Sequence, residues 1–392
     1  MRLSTIALAL PLPAAFAAPA SKRDSPAPLI VPRGATLVPN QYIVKFKEDP
    51  AAAAASDALV AAQARATRHY NNVFKGFAAH LDAATVAQLR NDPNVDFIEQ
   101  DAVSSITEYI TQSPATWGIS RLSHLKPHIR NYEYDSSAGE GTCAFVLDTG
   151  VFAEHPDFEG RAKMLKSYVP GQDTDGKGHG THVSGIIGSK TFGVAKKTKI
   201  YGVKVLDNEG NGNNTGIMEA IDWVAKFITC GKCSKGVVVN MSFRGGYSVA
   251  MNQAAASLVK AGAFVGVAAG NDATYASSYS PASEPSVCTV GASDNDDYAT
   301  PWSNYGAAVD VFAPGLDIQS TWPDGQWQYL DGTSMSAPHV VGLAAYLGAF
   351  EGITGGAACD RIKALARKDI LKEVQGEGTP NLLVFNGYPA AT

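Results

Sequence analysis

The last two thirds of the chain carry short apolar runs that alternate with helical segments. The runs are rich in Val, Ile and Ala and show no polar face, which is typical of strands buried on both faces. We predict such strands near residues 143–147, 200–206, 237–243 and 264–269. Strands that alternate with helices predict an α/β domain, with a mainly parallel sheet and helices on both of its faces.

The first third follows a different pattern. QYIVKFK alternates like an edge strand, residues 51–70 read as a helix, VFKGFAAHL alternates again, AATVAQLRNDP reads as a second helix, and VDFIEQDAV reads as a strand. This succession predicts a small α+β domain of the ferredoxin-like β-α-β-β-α-β type over about residues 37–105.

The first 20 residues form a third kind of segment. Arg2 is followed by an apolar run and by the small-residue stretch AAFAAPA, which together are typical of a secretory signal peptide. The run is too short to span a bilayer, and no later segment reaches the necessary length. The sequence therefore predicts a secreted, extracellular protein that is soluble and has no membrane partner.

Composition and charge narrow the range of partners. The chain has a formal net charge of −5 and 45% hydrophobic residues, and it contains no basic block. Nucleic acids are bound through concentrated positive charge, so we do not expect a nucleic acid as a partner. About 280 residues follow the small domain, which is enough for one domain with a continuous core.

Three polar side chains stand where the predicted α/β domain can bring them together. Asp148 ends the strand that begins at Cys143, at the edge where open parallel sheets place their sites. His179 lies in a Gly-rich turn before an apolar helix, and Ser334 lies between small residues at the start of another helix. A serine hydroxyl needs an imidazole to accept its proton and a carboxylate to orient that imidazole. The three residues therefore predict nucleophilic catalysis by Ser334, with His179 as the general base.

Other chemistry fits these residues less well. A serine at a helix start also serves as an N-cap, and taken alone Ser334 fits that role about equally well. His179 and His182 have the spacing of a zinc-binding helix, but the glutamate of the H-E-x-x-H pattern is missing. We therefore do not expect zinc catalysis.

The order Asp, His, Ser along the chain is the order found in subtilisin. From about Trp117 to the C-terminus, the chain resembles the proteinase K branch of the subtilases (peptidase S8), which are secreted fungal serine proteases. The segments that carry this resemblance are WGISRLS, HPDFEGRA, GVAKKTKIYGVKVLD, SPASEPSVCTVGASD and NLLVFNGY. The small domain before them resembles the inhibitor I9 propeptide of the same family. The resemblance implies a secreted serine endopeptidase with a subtilisin-like fold, made as a zymogen and working without a catalytic cofactor.

The resemblance also divides the chain. It implies a signal peptide over residues 1–20, a propeptide over 21–110 and a catalytic domain over 111–392. We expect the propeptide to inhibit the enzyme and to assist its folding, and the enzyme to cut itself between about Asp101 and Trp117. The other expected partners are protein and peptide substrates, and the mature enzyme is expected to be a monomer.

The resemblance assigns further roles around Ser334. Asn271 is the side-chain donor of the oxyanion hole, together with the backbone N–H of Ser334, and its removal is expected to lower turnover by about 100-fold to 1000-fold, the magnitude known for subtilisin. The substrate backbone is expected to pair as a strand with two edge segments, residues 208–212 and 242–246. The residues expected to contact the substrate are Ser242, Phe243, Arg244 and Gly245 on one wall and Ala268, Ala269 and Gly270 on the other.

The same segments predict specificity. The small residues at 268–270 leave room for a large apolar or aromatic side chain before the scissile bond. Where the family has Ser-Leu-Gly-Gly, this chain has SFRGG at residues 242–246. We expect Arg244 to narrow or charge the rim of the cleft and to favour acidic groups in the substrate, away from the scissile bond.

Five cysteines in a secreted chain indicate two disulfides and one free thiol. The resemblance pairs Cys143 with Cys233 and Cys288 with Cys359, which leaves Cys230 free. Because Cys230 and Cys233 form a CGKC sequence, pairing of Cys143 with Cys230 stays open as an alternative.

A structural calcium site is also implied by the resemblance. Its protein ligands would be the backbone carbonyls of Pro285 and Val287 and the carboxylate of Asp310, which are the hard oxygen ligands that calcium prefers. Separately, Asn213 begins the sequon NNT in a predicted surface loop and is the candidate for glycosylation.

Together these residues predict hydrolysis of peptide bonds through an acyl-enzyme on Ser334. The alternative from another class is a catalytically silent protein of the subtilase fold that only binds its partner. Because every catalytic position is filled, the sequence favours the endopeptidase. His179 must be neutral to accept a proton, so activity is expected to fall as the pH drops through roughly 6 to 7.

Overall fold

The structure is a computed structural model, and it describes residues 25–32, 36–48, 55–103, 108–231 and 233–391. The expected signal peptide over residues 1–20 lies outside this part of the chain. The chain divides into two units, Met1–Ser105 and Ile106–Thr392. Each unit has a hydrophobic core of its own.

A five-stranded sheet and two helices make up the described part of the first unit. In chain order its elements are β1 (Leu29–Ile30), β2 (Thr36–Phe46), α1 (Asp57–Ala64), β3 (Ala66–Tyr70), β4 (Gly76–His80), α2 (Ala83–Leu89) and β5 (Val95–Val103). The strand order in the sheet is β1-β5-β2-β4-β3. Leu59 of α1 and Leu89 of α2 pack in one core with Val44, Phe77 and Ile98 of the sheet. The α+β class predicted for this region is confirmed.

Two details of the first unit differ from the prediction. The strand that contains QYIVKFK is not an edge strand, because β2 pairs with both β4 and β5. Its polar–apolar alternation arises because the helices cover one face of the sheet, not because one strand edge is free. The helix predicted over residues 51–70 is also wrong at its end, since Ala66–Tyr70 forms β3 and pairs with β4. There, pairing along the open side of β4 outweighs the local helix propensity.

A nine-stranded sheet is the centre of the second unit. In chain order the elements of this unit are β6 (Tyr109–Gln112), α3 (Trp117–Arg121), β7 (Tyr132–Asp135), β8 (Cys143–Asp148), a 3₁₀ turn (Pro156–Phe158), β9 (Ala162–Ser167), α4 (His179–Gly188), β10 (Lys199–Lys204), α5 (Asn214–Thr229), β11 (Val237–Met241), β12 (Gly245–Gly246), α6 (Val249–Lys260), β13 (Phe264–Ala268), a 3₁₀ turn (Ala276–Ser278), β14 (Tyr279–Ser280), β15 (Cys288–Ser293), β16 (Val311–Pro314), β17 (Ile318–Thr321), β18 (Trp327–Leu330), α7 (Thr333–Phe350), α8 (Ala357–Leu365), β19 (Arg367–Lys368) and β20 (Leu382–Leu383). The order in the large sheet is β19-β20-β16-β15-β13-β11-β8-β10-β9. Its strands pair in parallel from β9 to β20, and β19 pairs antiparallel to β20.

Strand β8 shows how the large sheet is covered on both faces. Ala144 and Val146 belong to the core that contains α4 and α7, whereas Phe145 and Leu147 belong to the core that contains α5 and α6. Successive side chains of a strand point to opposite faces, so a strand that is apolar at every position requires helices on both sides. The predicted mainly parallel sheet with helices on both faces is confirmed.

Two disulfides are anchored in this sheet, one to the loop after α5 and one to α8. One joins Cys143, at the start of β8, to Cys233, and the other joins Cys288, at the start of β15, to Cys359 in α8. These are the pairings that the resemblance implies. Cys230 is a free and exposed thiol, so the alternative pairing of Cys143 with Cys230 is not present.

Strands β8, β10, β11 and β13 all end at one edge of the sheet, because they are parallel and in close register. The loops that leave this edge carry the residues predicted for catalysis. Within the described residues, no helix is long and apolar enough to cross a membrane.

Candidate active site

Asp148 is the last residue of β8, and its side chain is fully buried. Its Oδ1 accepts a hydrogen bond from the backbone N–H of Thr149 at 2.7 Å and lies 2.8 Å from Nδ1 of His179. A carboxylate in this place holds the proton of a neutral imidazole on Nδ1. The other ring nitrogen, Nε2, is then free to accept a proton.

His179 is the first residue of α4, and its side chain is 25% exposed. The helix approaches the loop after β8 so closely that a Cβ on Gly180 would lie 2.0 Å from the carbonyl oxygen of Gly150. Only glycine permits this approach, which brings the imidazole beside Asp148. Burial lowers the pKa of His179, but the carboxylates of Asp148 and Asp175 together raise it by more, so the pKa lies above its usual value of 6.5.

Asp175 was not singled out in the sequence, and the structure gives it a central place. Its buried carboxylate accepts hydrogen bonds from the backbone N–H groups of Gly178 and Thr181, both at 2.8 Å. It also accepts from the hydroxyls of Thr149, at 2.7 Å, and Thr181, at 2.6 Å. These bonds fix the backbone on both sides of His179. The available signal was an aspartate directly before a Gly-rich turn, a common way to hold such turns.

Lys204 is a second residue that sequence reasoning missed. It ends β10 beside Asp148, is fully buried, and donates to the backbone carbonyl of Thr149 at 2.6 Å and to Oδ1 of Asn208 at 3.0 Å. Burial lowers its pKa, and the nearby carboxylates of Asp175 and Asp148 oppose that change. A positive charge here offsets the two buried carboxylates that orient His179.

Ser334 is the second residue of α7. The chain turns into this helix at Gly332, whose φ of 147° is unfavourable for other residues. Because the first N–H groups of a helix have no partner within it, the N–H of Ser334 is available to an anion. The Ser334 hydroxyl donates to the backbone carbonyl of Ser242 at 3.0 Å.

The structure therefore brings two of the three predicted catalytic side chains into direct contact. Asp148 and His179 are hydrogen-bonded, whereas no hydrogen bond joins Ser334 Oγ and His179 among the described residues. Catalytic hydrogen bonds are often long or misaligned without substrate and tighten when it binds. The geometry is that of a paired base and orienting carboxylate, with the nucleophile turned aside to Ser242.

Asn271 lies in the loop after β13. Its Oδ1 accepts from the backbone N–H of Thr333 at 3.0 Å and from the Thr333 hydroxyl at 2.8 Å. Both donors hold the oxygen end of the carboxamide, which leaves the Nδ2 donor for a ligand. Nδ2 lies 3.3 Å from where a Cβ on Gly332 would be, two residues before Ser334. Thr333 is thus a positioning residue that the sequence analysis did not name.

The expected substrate walls follow β11 and β13. Ser242, Ala268, Ala269 and Gly270 are buried, Phe243 and Gly245 are half-buried, and Arg244 is exposed. A cavity of about 180 Å³ lies between the two expected edge segments, lined by Asn211 and Gly212 on one side and by Phe243 and Arg244 on the other. Of the residues assigned to substrate binding, Phe243, Arg244 and Gly245 line this cavity, whereas Ser242 and residues 268–270 do not.

The residues expected to hold calcium meet a different partner. Oδ2 of Asp310 accepts from the backbone N–H of Thr289 at 2.9 Å, and Oδ1 lies 3.2 Å from Nζ of Lys363. The sulfurs of Cys288 and Cys359 are also close to Asp310, but they form a disulfide and offer no thiolate. An ion on this carboxylate would share Oδ1 with an ammonium group. With Lys363 in this position, the donor set does not fit calcium.

Two further predicted residues have simple surroundings. Nε2 of His182 lies 3.0 Å from the carbonyl oxygens of both Ile318 and Gln328. Burial lowers the pKa of His182 to about 3, so it is a neutral, packed side chain. Asn213 is exposed at the start of α5, and its Oδ1 caps the helix by accepting from the N–H of Gly216 at 2.8 Å.

Comparisons with known proteins identify the family of the chain. A sequence profile described as "Subtilase family" matches residues 139–377, and one described as "Peptidase inhibitor I9" matches residues 41–107. The chain is 50% identical over 379 residues to the cuticle-degrading protease of Metarhizium anisopliae, an alignment that covers 96% of this chain and 97% of that protein. It is 48% identical over 392 residues to Proteinase R of Parengyodontium album, covering 99% and 100% of the two chains.

A solved structure is similar as well. The crystal structure of a cold adapted subtilisin-like serine proteinase matches with a TM-score of 0.65 and 38% sequence identity, over 70% of this chain and 99% of that one. The family profile covers more than half of the chain, and the relatives are proteases aligned over nearly their whole lengths. The chain therefore belongs to the subtilase family (peptidase S8) and is a serine protease with an inhibitor I9 domain ahead of its catalytic domain.

Proposed function

We propose that Ser334, His179 and Asp148 hydrolyse internal peptide bonds of proteins through an acyl-enzyme. The observation that carries this assignment is the 2.8 Å contact between His179 Nδ1 and Asp148 Oδ1 at the sheet edge that Ser334 also occupies. Ser334 Oγ attacks the carbonyl carbon while His179 Nε2 takes the hydroxyl proton and passes it to the leaving amine. Water, activated by the same imidazole, then cleaves the ester bond to Ser334. These steps need no catalytic cofactor.

The negative charge on the carbonyl oxygen is stabilised by two donors in this proposal. They are Nδ2 of Asn271 and the backbone N–H of Ser334. The support is that Thr333 holds the opposite end of the Asn271 carboxamide, so the donor is oriented before the substrate arrives. No reorganisation is then required as the charge develops.

The assignment of His179 as the base is tested by the pH dependence of serine labelling. A fluorophosphonate should modify Ser334 rapidly at alkaline pH, and peptide mapping should locate the adduct on that residue. Because the pKa of His179 lies above 6.5, the labelling rate and kcat/KM should both fall with decreasing pH, with a midpoint above 6.5. A rate that stays flat through that range, or an adduct on another residue, would contradict the proposal.

For substrate preference, we propose a broad specificity with large apolar or aromatic side chains favoured before the scissile bond. The supporting observation is a wall of small, buried residues at Ala268, Ala269 and Gly270, where β13 ends. The substrate backbone would add as a strand along residues 242–246 and 208–212, so that main-chain hydrogen bonds give affinity without selecting a sequence.

Maturation and export complete the proposal. The chain is secreted after loss of residues 1–20, and the enzyme removes its own I9 domain as a zymogen. We place the cut between Val103, the last residue of β5, and Tyr109, the first residue of β6, since a cut at 110 would divide β6. The mature enzyme acts as an extracellular monomer on protein substrates, and Asn213, exposed at a helix start, carries a glycan.

A further inference from the structure

The two walls of the substrate cleft come from neighbouring parallel strands. Met241, the last residue of β11, lies opposite Val267 of β13, and the chain segments that follow diverge. One segment begins with Ser242, which contacts Ser334, and the other leads to Asn271. Such a crevice beyond the carboxyl ends of two strands is where α/β proteins bind their ligands.

The side chain of Arg244 crosses this crevice. It starts on the first wall, and its Nη2 lies 2.5 Å from Oδ1 of Asp272 on the second wall. On the way, its Cδ comes within 3.0 Å of the position that a Cβ on Gly270 would take. The guanidinium group also lies 4.8 Å from the ring centroid of Tyr279. Tyr279 itself pairs with Gly246, so the ring belongs to the first wall.

We propose that Arg244 is a specificity-determining residue whose side chain partly blocks the primary pocket. In this proposal, the ion pair with Asp272 holds the Arg244 side chain in the blocking position. This inference rests on the proposed function, because it takes the crevice beside Ser334 as the pocket for the side chain before the scissile bond. A small substrate side chain such as that of alanine fits beside the Arg244 side chain. An aromatic side chain must displace Arg244 from both Asp272 and Tyr279.

The contacts of Arg244 determine how strongly its side chain discriminates between small and aromatic residues before the scissile bond. The Arg244 and Asp272 side chains are 39% and 30% exposed, so solvent weakens their ion pair. Displacing Arg244 from the pocket therefore costs only a modest free energy. Burial of an aromatic side chain more than offsets that cost. The parent enzyme therefore still accepts aromatic residues, but it prefers them over small ones less than an open pocket would.

Asp272 also changes the expectation about charge. A free guanidinium at the rim would attract acidic substrates, but this one is already paired with a carboxylate. An acidic group in the substrate gains only if it replaces Asp272. The acidic preference inferred from Arg244 alone therefore depends on a residue 28 positions further along the chain.

The test compares peptides that have phenylalanine or alanine before the scissile bond. In Arg244→Gly, the ratio of kcat/KM for phenylalanine over alanine should rise about tenfold, through a lower KM for the phenylalanine peptide. The control is Lys226→Ala, which removes a cation from the exposed Lys226–Asp222 pair on α5 and should leave the ratio unchanged. A ratio in Arg244→Gly within about threefold of the parent value would overturn the proposal that Arg244 blocks the primary pocket.

The variant Asp272→Asn separates the effect of the ion pair from the effect of the Arg244 side chain itself. The Arg244 side chain remains but is no longer paired with a carboxylate, so this variant should cleave glutamate-containing peptides better than their glutamine counterparts by roughly threefold to fivefold, while the parent treats them alike. If both enzymes cleaved the glutamate and glutamine peptides equally well, Asp272 would not neutralise the charge of Arg244, and its proposed role would be overturned. Failure of the parent enzyme to cleave any peptide would overturn the proposed function, and with it the proposed role of Arg244.

A separate observation concerns the expected calcium site. Helix α8 carries Cys359, whose disulfide with Cys288 holds the helix against the start of β15. One turn later the same helix carries Lys363, with Nζ 3.2 Å from Asp310 Oδ1 and 3.3 Å from Asp360 Oδ1. A covalent bond thus fixes the helix that places the ammonium on the carboxylate.

We infer that the ammonium of Lys363 takes the place of a calcium ion at Asp310. Calcium binds its oxygen ligands at about 2.3–2.6 Å, which would set two cations on one carboxylate oxygen. The charge that an ion would supply is already part of the chain. This site should then contribute to stability without depending on dissolved calcium.

The test measures thermal unfolding midpoints of enzyme blocked at its serine, in EDTA and in calcium chloride. The calcium-dependent increase should be the same in the parent and in Asp310→Asn. In Lys363→Met, which keeps an unbranched apolar side chain but removes the charge, the increase should grow by roughly 2–4 °C, and Asp310→Asn in that background should abolish the gain.

The control for this series is Lys190→Met, which removes a cation from the exposed Lys190–Glu159 pair and should behave as the parent does. A larger calcium-dependent increase in the parent than in Asp310→Asn would show that the ion binds Asp310 despite Lys363, and would overturn the inference. An unchanged increase in Lys363→Met would overturn it as well.

Discussion

Replacing Ser334 with alanine is expected to lower peptide hydrolysis by about a millionfold, the magnitude known for subtilisin, and to leave the propeptide attached to the secreted chain. Both effects have one cause, because the proposed nucleophile serves substrates and the chain's own propeptide alike. Measurement requires only the size of the secreted product and the hydrolysis of a peptide with an aromatic residue before the scissile bond. The parent should shorten to about 280 residues and cleave the peptide.

A matched control is available on the same helix. Ser336 is fully buried in α7, and its hydroxyl has no partner among the described residues. Ser336→Ala removes the same atom two residues away and should mature and cleave as the parent does. If Ser334→Ala also matured and cleaved the peptide, the nucleophile would be misassigned.

Asn271→Ala is expected to lower kcat by about 100-fold to 1000-fold with little change in KM. Its Nδ2 donor meets a full negative charge only in the transition state, and an interaction made only there changes kcat rather than ground-state binding. The measurement is a steady-state comparison with the parent, together with the unfolding midpoint of each protein. A raised KM with unchanged kcat would instead make Asn271 a residue that binds the substrate in its ground state.

Variants at Thr333 separate orientation from donation. Thr333→Ser keeps the hydroxyl that holds Asn271 Oδ1 and should retain most of the activity. Thr333→Val removes that hydroxyl, which also accepts from the N–H of Gly270 at 3.0 Å, and should lower kcat by less than Asn271→Ala does. Equal losses in Thr333→Ser and Thr333→Val would mean that the hydroxyl does not orient the carboxamide.

The sequence was sufficient for features that depend on neighbouring residues. Cys143–Leu147 is apolar at every position, and this local pattern predicted a strand buried on both faces, with Asp148 at its end. The glycines around His179 and Ser334 likewise indicated tight turns into helices. These features could be predicted because strand periodicity and turn chemistry act over a few residues.

Pairings across the chain were beyond such reasoning. The contact of Arg244 with Asp272 spans 28 positions, and that of Asp310 with Lys363 spans 53. Nothing local to Lys363 indicates that a disulfide will hold its helix beside a carboxylate. The interior place of β2 was missed for a similar reason, since alternation shows which face of a strand is buried but not which edges are paired.

The exposed thiol of Cys230 gives the protein a natural attachment point. It lies three residues before Cys233, whose disulfide partner Cys143 begins β8, while Asp148 ends that strand about 16 Å away. A reagent that couples to free thiols would therefore anchor the molecule from the end of the sheet opposite its catalytic edge. Enzyme immobilised through this sulfur should face its cleft outward, toward the solution.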